Sequence, residues 1–443
     1  MDREGRGMTA AGDRLVARWH AASLEAEASR SDAPWLRALR DDARSHLQAL
    51  GLPHRKLEAW RHTSLGALEA IDWSAPEPAT RSSTPPSLDA LAIPGADTVH
   101  VVDGRVVGTP AAEAPWRSIA SVATPGGDAD GLGDVLGRLA DTKSDAFAAL
   151  NTAFLADGVG IEIPRGAERA APIHVVFATA EPGRLACPRL AVVARAGSRA
   201  LLVLEHASAG DGPRLTSFVG EIVVEENARL DVVVVQREGD ESFLVTSLAT
   251  RQARDARLAI HTLTLGGRFV RNGVAAALAE PGAEIDLRGL FLGAGDRLVD
   301  NHTVADHAMP HTVSRELYKG VLGDASHGVF CGRVIVRPDA QKIDSSQSNP
   351  NLLLGARAEI DTQPQLEIYA DDVKCSHGST IGRLDDEALF YLRSRGIGAE
   401  AARVMLTHAF AQEIVDGLPE GVVRDGVSGL VEHAFARAAG GAR

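Results

Sequence analysis

Three short words in the middle of the chain share one shape. Asn227-Ala228-Arg229-Leu230-Asp231, Asp255-Ala256-Arg257-Leu258-Ala259 and Gly282-Ala283-Glu284-Ile285-Asp286 each set a turn residue before Ala, then a charge, then an aliphatic. Ala228 to Ala256 is 28 positions, and Ala256 to Ala283 is 27. Asp339-Ala340 follows at 57 from Ala283, about two such steps, whereas Arg357-Ala358-Glu359-Ile360-Asp361 breaks the count at 18. From Ile173 to about Ile368 the chain is made of short aliphatic runs such as Leu201-Leu202-Val203-Leu204, cut by Gly, Asn, Asp and Pro. Strands that recur on this scale predict a coiled β-solenoid, because one coil cannot bury its inner face alone and must stack on its neighbours. A large β-sandwich with chance likeness between strands is the competing architecture. A solenoid with open ends exposes sheet edges. Helical segments at the chain ends can cover them, or a partner rod can extend the sheet.

The flanks read differently. Residues from about Thr9 to Gly51 have helical spacing, with Trp35, Leu36, Leu39, Ala43, Leu47 and Leu50 on one face and Gly51 as the stop. A Pro-led turn then carries Trp60 toward a core. Pro76 to Pro94 is a Pro-, Ser- and Thr-rich connection. Val99 to Val107 is a hairpin turning at Asp103-Gly104. Ser144 to Ala156 is a helix with Ser144 available as its cap. After Gly382 the chain is helical to its end. Gly396 ends one helix, and a second carries Val404, Met405, His408, Ala409, Ile414 and Val415 as a packed stripe. The expected division is 1–95 N-terminal helical, 96–160 mixed connection, 161–381 β-solenoid and 382–443 C-terminal helical.

At 443 residues the chain exceeds one typical core. Its net charge of −13 disfavours nucleic acid as a partner. Cys187, Cys331 and Cys375 are too sparse for a disulfide framework and suit a reducing cytoplasm. No apolar run is long enough to span a membrane, and Met1 to Gly5 lacks the apolar core of a signal peptide.

The densest chemistry lies in Gln363 to Gly378. Leu366, Ile368 and Ala370 alternate with Gln365, Glu367 and Tyr369 at strand periodicity. Cys375 and His377 follow two positions apart, so an extended backbone presents thiol and imidazole on one side. Such a pair suits iron, zinc or copper. The plainer reading is a buried thiol beside a satisfied histidine. A cysteine nucleophile paired with His377 lacks a recognisable third group. Asp371 and Asp372 suggest a different class, a secreted β-helix enzyme cleaving acidic polysaccharide with carboxylates or Ca²⁺. Adjacent acids face opposite sides of a strand, however. His302, His307 and His311 fall within ten residues, with metal binding or polar packing between strands as the alternatives. Cys331 sits on an apolar alternation and reads as structural; Cys187, beside Pro188, reads as a loop residue.

Pro364 through Gly382, continued by Asp386-Glu387-Ala388-Leu389-Phe390-Tyr391-Leu392-Arg393-Ser394-Arg395-Gly396-Ile397, resembles the C-terminal signature of the SufB/SufD family of iron–sulfur cluster assembly scaffolds. Leu317-Tyr318-Lys319-Gly320-Val321-Leu322, Gly328-Val329-Phe330-Cys331-Gly332 and Asn351-Leu352-Leu353-Leu354 also fit that family. Gly51-Leu52-Pro53 leading to Lys56-Leu57-Glu58-Ala59-Trp60-Arg61-His62-Thr63 resembles the N-terminal motif of its SufD branch, with His62 where Tyr is common. The resemblance implies a mainly β protein with α ends, a right-handed parallel β-helix core flanked by N-terminal and C-terminal helical domains. It further implies a non-ATPase scaffold subunit that works with a SufB homologue and the SufC ATPase, docking SufC through the C-terminal helices. His377, and more weakly Cys375, would be the ligands for a transient iron–sulfur cluster or iron at the subunit interface, with none permanently bound. A homodimer is open to the chain when it is expressed alone. The sequence carries no G-x-x-x-x-G-K-[ST] loop, so ATP hydrolysis falls to the partner.

Overall fold

The computed structural model describes residues 9–30, 33–76, 91–111, 113–122, 131–208 and 210–440, with side chains through 435. Residues 77–90 of the expected Pro76–Pro94 connection lie outside this set.

The core is a β-solenoid of about eight coils. One sheet stacks Ile173–Thr179, Arg199–Ser208, Arg229–Arg237, Arg257–Thr264, Glu284–Gly293, Val313–Leu322, Ile343–Leu353 and Val373–Gly382 in chain order. The second stacks Arg189–Ala194, Arg214–Val224, Ser242–Gln252, Phe269–Leu278, Leu298–His307 and His327–Val336. Neighbouring coils pair in parallel within each sheet. Inward side chains such as Leu202, Val232, Ile260, Leu287, Ile222 and Val274 meet between the sheets in one continuous core.

The recurring words are corners. Asn227, Asp255 and Gly282 have φ of 58°, 53° and 76°, the left-handed region that Asn, Asp and Gly enter at least cost. The alanine after each is buried, and the strands that follow pair Arg229 with Arg257 and Arg257 with Glu284. The same corner recurs at His311 and Lys342, both with φ of 62°. The positions equivalent to the alanines are therefore Thr312 and Ile343, and Ala340 is not one of them. Ala358 breaks the count for a different reason. It precedes Glu359–Thr362, which joins the second sheet beside His327–Val336, so it turns the opposite corner.

The helical ends cover faces of the rod. Ala10–Ala28 starts from Thr9, whose hydroxyl accepts from the Gly12 N–H at 2.9 Å. Pro34–Leu50 ends at Gly51, as its left-handed glycine predicts. With Ala146–Ala153 these helices pack Trp19, Leu47, Phe147 and Leu150 against Leu215, Phe243 and Phe269 on the outside of the second sheet. The cap of Ala146–Ala153 is Asp145, which accepts from Phe147 and Ala148; Ser144 instead donates to Asp141. The Val99–Val107 hairpin forms as expected, as Asp97–Val102 paired with Arg105–Val107 across Asp103-Gly104.

Ala399–Asp416 and Val422–Gly440 lie on the outside of the first sheet, against Val203, Val233, Leu263 and Leu290. The buried stripe of Ala399–Asp416 is Ala402, Thr407, Ala411, Ile414 and Val415, while Val404 and Met405 face solvent. The expected stripe is thus only half right. Small Ala402 and Ala411 admit close approach to the sheet, and the larger Val404 and Met405 are left outside. On Asp386–Ser394, Phe390 and Tyr391 are exposed as well.

No helix among the described residues is long and apolar enough to cross a membrane.

Candidate functional site at the open end of the rod

The last strand, Val373–Gly382, pairs with Ile343–Leu353 on one side and ends the first sheet on the other. Neither helical domain covers its free edge: positions 376 to 383 are all exposed. The exposed apolar side chains Ile368, Tyr369 and Ile381 surround this end. An uncovered strand of ten residues is a ready template for another strand.

His377 lies opposite Gln347, and Cys375 opposite Ser345. Ser345 and Gln347 are buried, inward-facing positions of the preceding coil. Cys375 and His377 therefore occupy the inner face of the last coil, where no further coil closes over them. His377 is exposed, and Cys375 is half-buried against the cluster of Val334, Val336, Ala340 and Ile343. Burial, then the charge of Asp344, pushes the Cys375 thiol up from its ordinary value. Lys374 does not activate it, since neighbouring strand residues point to opposite faces. Among the described residues no three His, Cys, Asp or Glu side chains gather closely enough to hold a metal ion. The Cys375–His377 pair alone leaves a coordination sphere incomplete, and further donors have to come from another molecule.

The acids proposed as a polysaccharide-cleaving pair serve a corner. Asp372 pairs with Lys342, and its carbonyl accepts from the Lys342 N–H. Both acids are exposed and form no cleft. The three clustered histidines separate. His307 faces inward and is held by Thr312 at 2.7 Å and Ser314 at 2.9 Å. His302 faces outward, and His311 makes a corner. Polar packing is the reading that survives.

A second gathering place lies elsewhere on the rod. Between the Trp60 turn and the second sheet runs a groove of about 710 Å³, lined among others by Arg271, His302, Cys331 and Arg333. Trp60 stacks on Phe147 at 5.8 Å and lies under the Arg271 guanidinium at 3.9 Å, a structural role as expected. Asp300 binds Arg271, Thr63 at 2.5 Å and His302 at 2.9 Å. Burial opposes its ionisation, but the Arg271 and His302 charges hold its carboxyl at about 2. Cys331 pairs with His302 across the coils. Burial and then Asp300 raise its thiol, which stays protonated. The Asp300-Asn301-His302 spacing, acid and imidazole on one strand face, was the signal available in the sequence. Cys187 is buried between strands, with its thiol raised by burial.

Residues 176–410 match the family model for the SufBD core domain of SUF-system FeS cluster assembly. The chain is 33% identical over 385 residues to the iron–sulfur cluster assembly protein SufD of Escherichia coli, covering 85% of this chain and 88% of that protein. It is 30% identical over 406 residues to an iron–sulfur cluster assembly SufBD family protein of Synechocystis, covering 86% and 87%. It is 28% identical over 412 residues to the chloroplastic protein ABCI7 of Arabidopsis thaliana, covering 90% and 86%. Together the coiled core and these matches show that the chain belongs to the SufBD family of iron–sulfur cluster assembly proteins.

Proposed function

We propose that this chain is a SufD-type scaffold subunit that assembles with a SufB homologue and the SufC ATPase. Nascent iron–sulfur clusters are its cargo. The observation that carries the reading is the exposed, inward-facing His377 on an uncovered terminal strand. Pairing of a sister rod along that edge would bring its donors to the imidazole, which ligates iron through a neutral ring nitrogen. Cys375 is the weaker candidate, because its raised thiol has to lose a proton first. In the absence of a sister subunit the same edge can pair with a second copy of this chain.

The outward face of the C-terminal helices, with Phe390, Tyr391, Val404 and Met405, supports docking of SufC there. The chain has no phosphate-binding loop of its own, so SufC supplies ATP hydrolysis. Three unpaired cysteines suit the reducing cytoplasm.

The test is His377→Ala in the co-expressed three-component complex, purified anaerobically. Subunit stoichiometry should be unchanged, while bound iron and sulfide fall at least about tenfold, the scale on which metal sites respond even to changes around their ligands. Unchanged loading would remove His377 from the site.

A further inference from the structure

Aligned positions on successive coils point into the rod as columns. One column reads Ile173, Leu202, Val232, Ile260, Leu287, Glu316, Gln347, His377. Its neighbour reads Ala200, Leu230, Leu258, Ile285, Ser314, Ser345, Cys375. Both are aliphatic through the earlier coils, and both turn polar two coils before the candidate ligands. Folding does not require that change, since the same positions are filled by Leu and Ile one coil earlier. Buried polar groups cost stability unless they are fully bonded.

The polar members are linked. The Gln347 amide Nε2 donates to Glu316 Oε2 at 2.5 Å. Gly332, opposite, has no side chain, and a Cβ there would lie 2.1 Å from Gln347 Nε2, so the lumen is shaped to admit this amide. Gln347 Oε1 is buried and has no hydrogen-bond partner among the described residues. Its neighbour one strand on, at the roughly 4.8 Å spacing of paired strands, is His377. His307 of the second sheet meets the second column, its Nε2 lying 2.9 Å from Ser314 Oγ, and Ser314 Oγ meets Ser345 Oγ at 2.8 Å, with Cys375 next in line.

We infer that Gln347, anchored by Glu316, is a positioning residue for His377: its free amide oxygen accepts one imidazole N–H and so leaves the other ring nitrogen as the ligand. A histidine that binds metal commonly donates its second N–H to such an acceptor, which sets its tautomer and ring orientation. The inference rests on His377 as a ligand, and the test separates the two.

The informative variant is the double substitution Glu316→Leu with Gln347→Leu. It removes donor and acceptor together and extends the aliphatic column by two coils, so its thermal midpoint equals or exceeds that of the native chain. Two readouts follow on the full-length protein. The first is the ¹⁵N spectrum of histidine-labelled apo protein, with the His377 resonances identified by their loss in His377→Ala. A single tautomer in the native chain should relax to the mixture of a free imidazole in the double variant. The second is anaerobic Co²⁺ titration, where affinity should fall 10- to 100-fold. A native His377 that already shows the free mixture overturns the inference, as does a double variant with an unchanged ring signature and Co²⁺ affinity. Co²⁺ binding that is indifferent to His377→Ala overturns the ligand assignment instead, and the ring spectrum still decides whether Gln347 orients the imidazole.

Discussion

The two ends of the rod are built to different rules. At the first end the sheets finish in the antiparallel strands Arg105–Val107 and Trp116–Ser118, each three residues long. Such short edges offer little to pair with. The aligned columns are aliphatic, and a fully buried ion pair lies on the outer face of the second sheet, beneath the covering segments. Arg189 meets Glu221 at 2.5 Å, and Glu221 also accepts from the backbones of Gly137, Leu139 and Ala140. At the other end a ten-residue strand is left uncovered, the columns are polar, and Glu316 and Gln347 each keep a buried oxygen without a partner among the described residues. The first end is finished by folding alone. The second has the character of a surface completed by assembly.

The contrast is open to attack through two buried glutamates, one near each end. Burial opposes ionisation of Glu221, but Arg189 and the three backbone N–H groups outweigh it and hold the carboxyl below its ordinary value. Arg189→Met would leave that charge uncompensated and should cost about 3–5 kcal/mol in urea unfolding. A loss below about 1 kcal/mol would show that the first end does not depend on the pair. Stability from Glu221 is present above the unfolded value of 4.5 and is lost as pH falls through the depressed folded value.

Glu316 runs the other way. Burial pushes it up to about 7, only partly offset by the neighbouring Thr303 and Gln347 side chains. Its contribution is full below the unfolded value of 4.5 and is lost as pH rises through about 7. Glu316→Gln should therefore abolish a decline in stability between pH 5 and pH 8 of at most about 3 kcal/mol. An identical pH profile in the variant would mean that Glu316 ionises freely in the folded chain.

The smallest effect on folding should come from the edge itself. Ile381→Lys should change unfolding free energy by no more than about 0.5 kcal/mol, because its side chain is already 54% exposed. Pull-down of a SufB homologue by the same variant should be lost, since a charge on an edge strand opposes pairing. Full recovery of the partner would move the interface elsewhere on the rod.

Much of this fold is legible in the sequence because the corners are chemically restricted. A left-handed backbone at each turn favours Asn, Asp or Gly, and that demand prints a period on the chain at Asn227, Asp255 and Gly282. The print fades at His311 and Lys342, where a residue outside that set takes the same conformation, and counting forward from Ala283 then lands on Ala340 in error. Helix existence was equally readable, from Gly51 and Gly396 as stops. The buried face of Ala399–Asp416 was not, because it depends on the sheet beneath it. Val404 and Met405 have the more apolar side chains, yet Ala402 and Ala411 fit the close approach.

The candidate site divides along the same line. Alternation along one strand placed Cys375 and His377 on a common face from the sequence alone. Which face that is, and that it looks into a lumen continuing through Gln347 and Glu316, follows from pairing between residues about thirty positions apart. Local backbone geometry is written into neighbouring residues. Registry between coils and the covering of an edge are properties of distant segments brought together, so only the tertiary structure decides them.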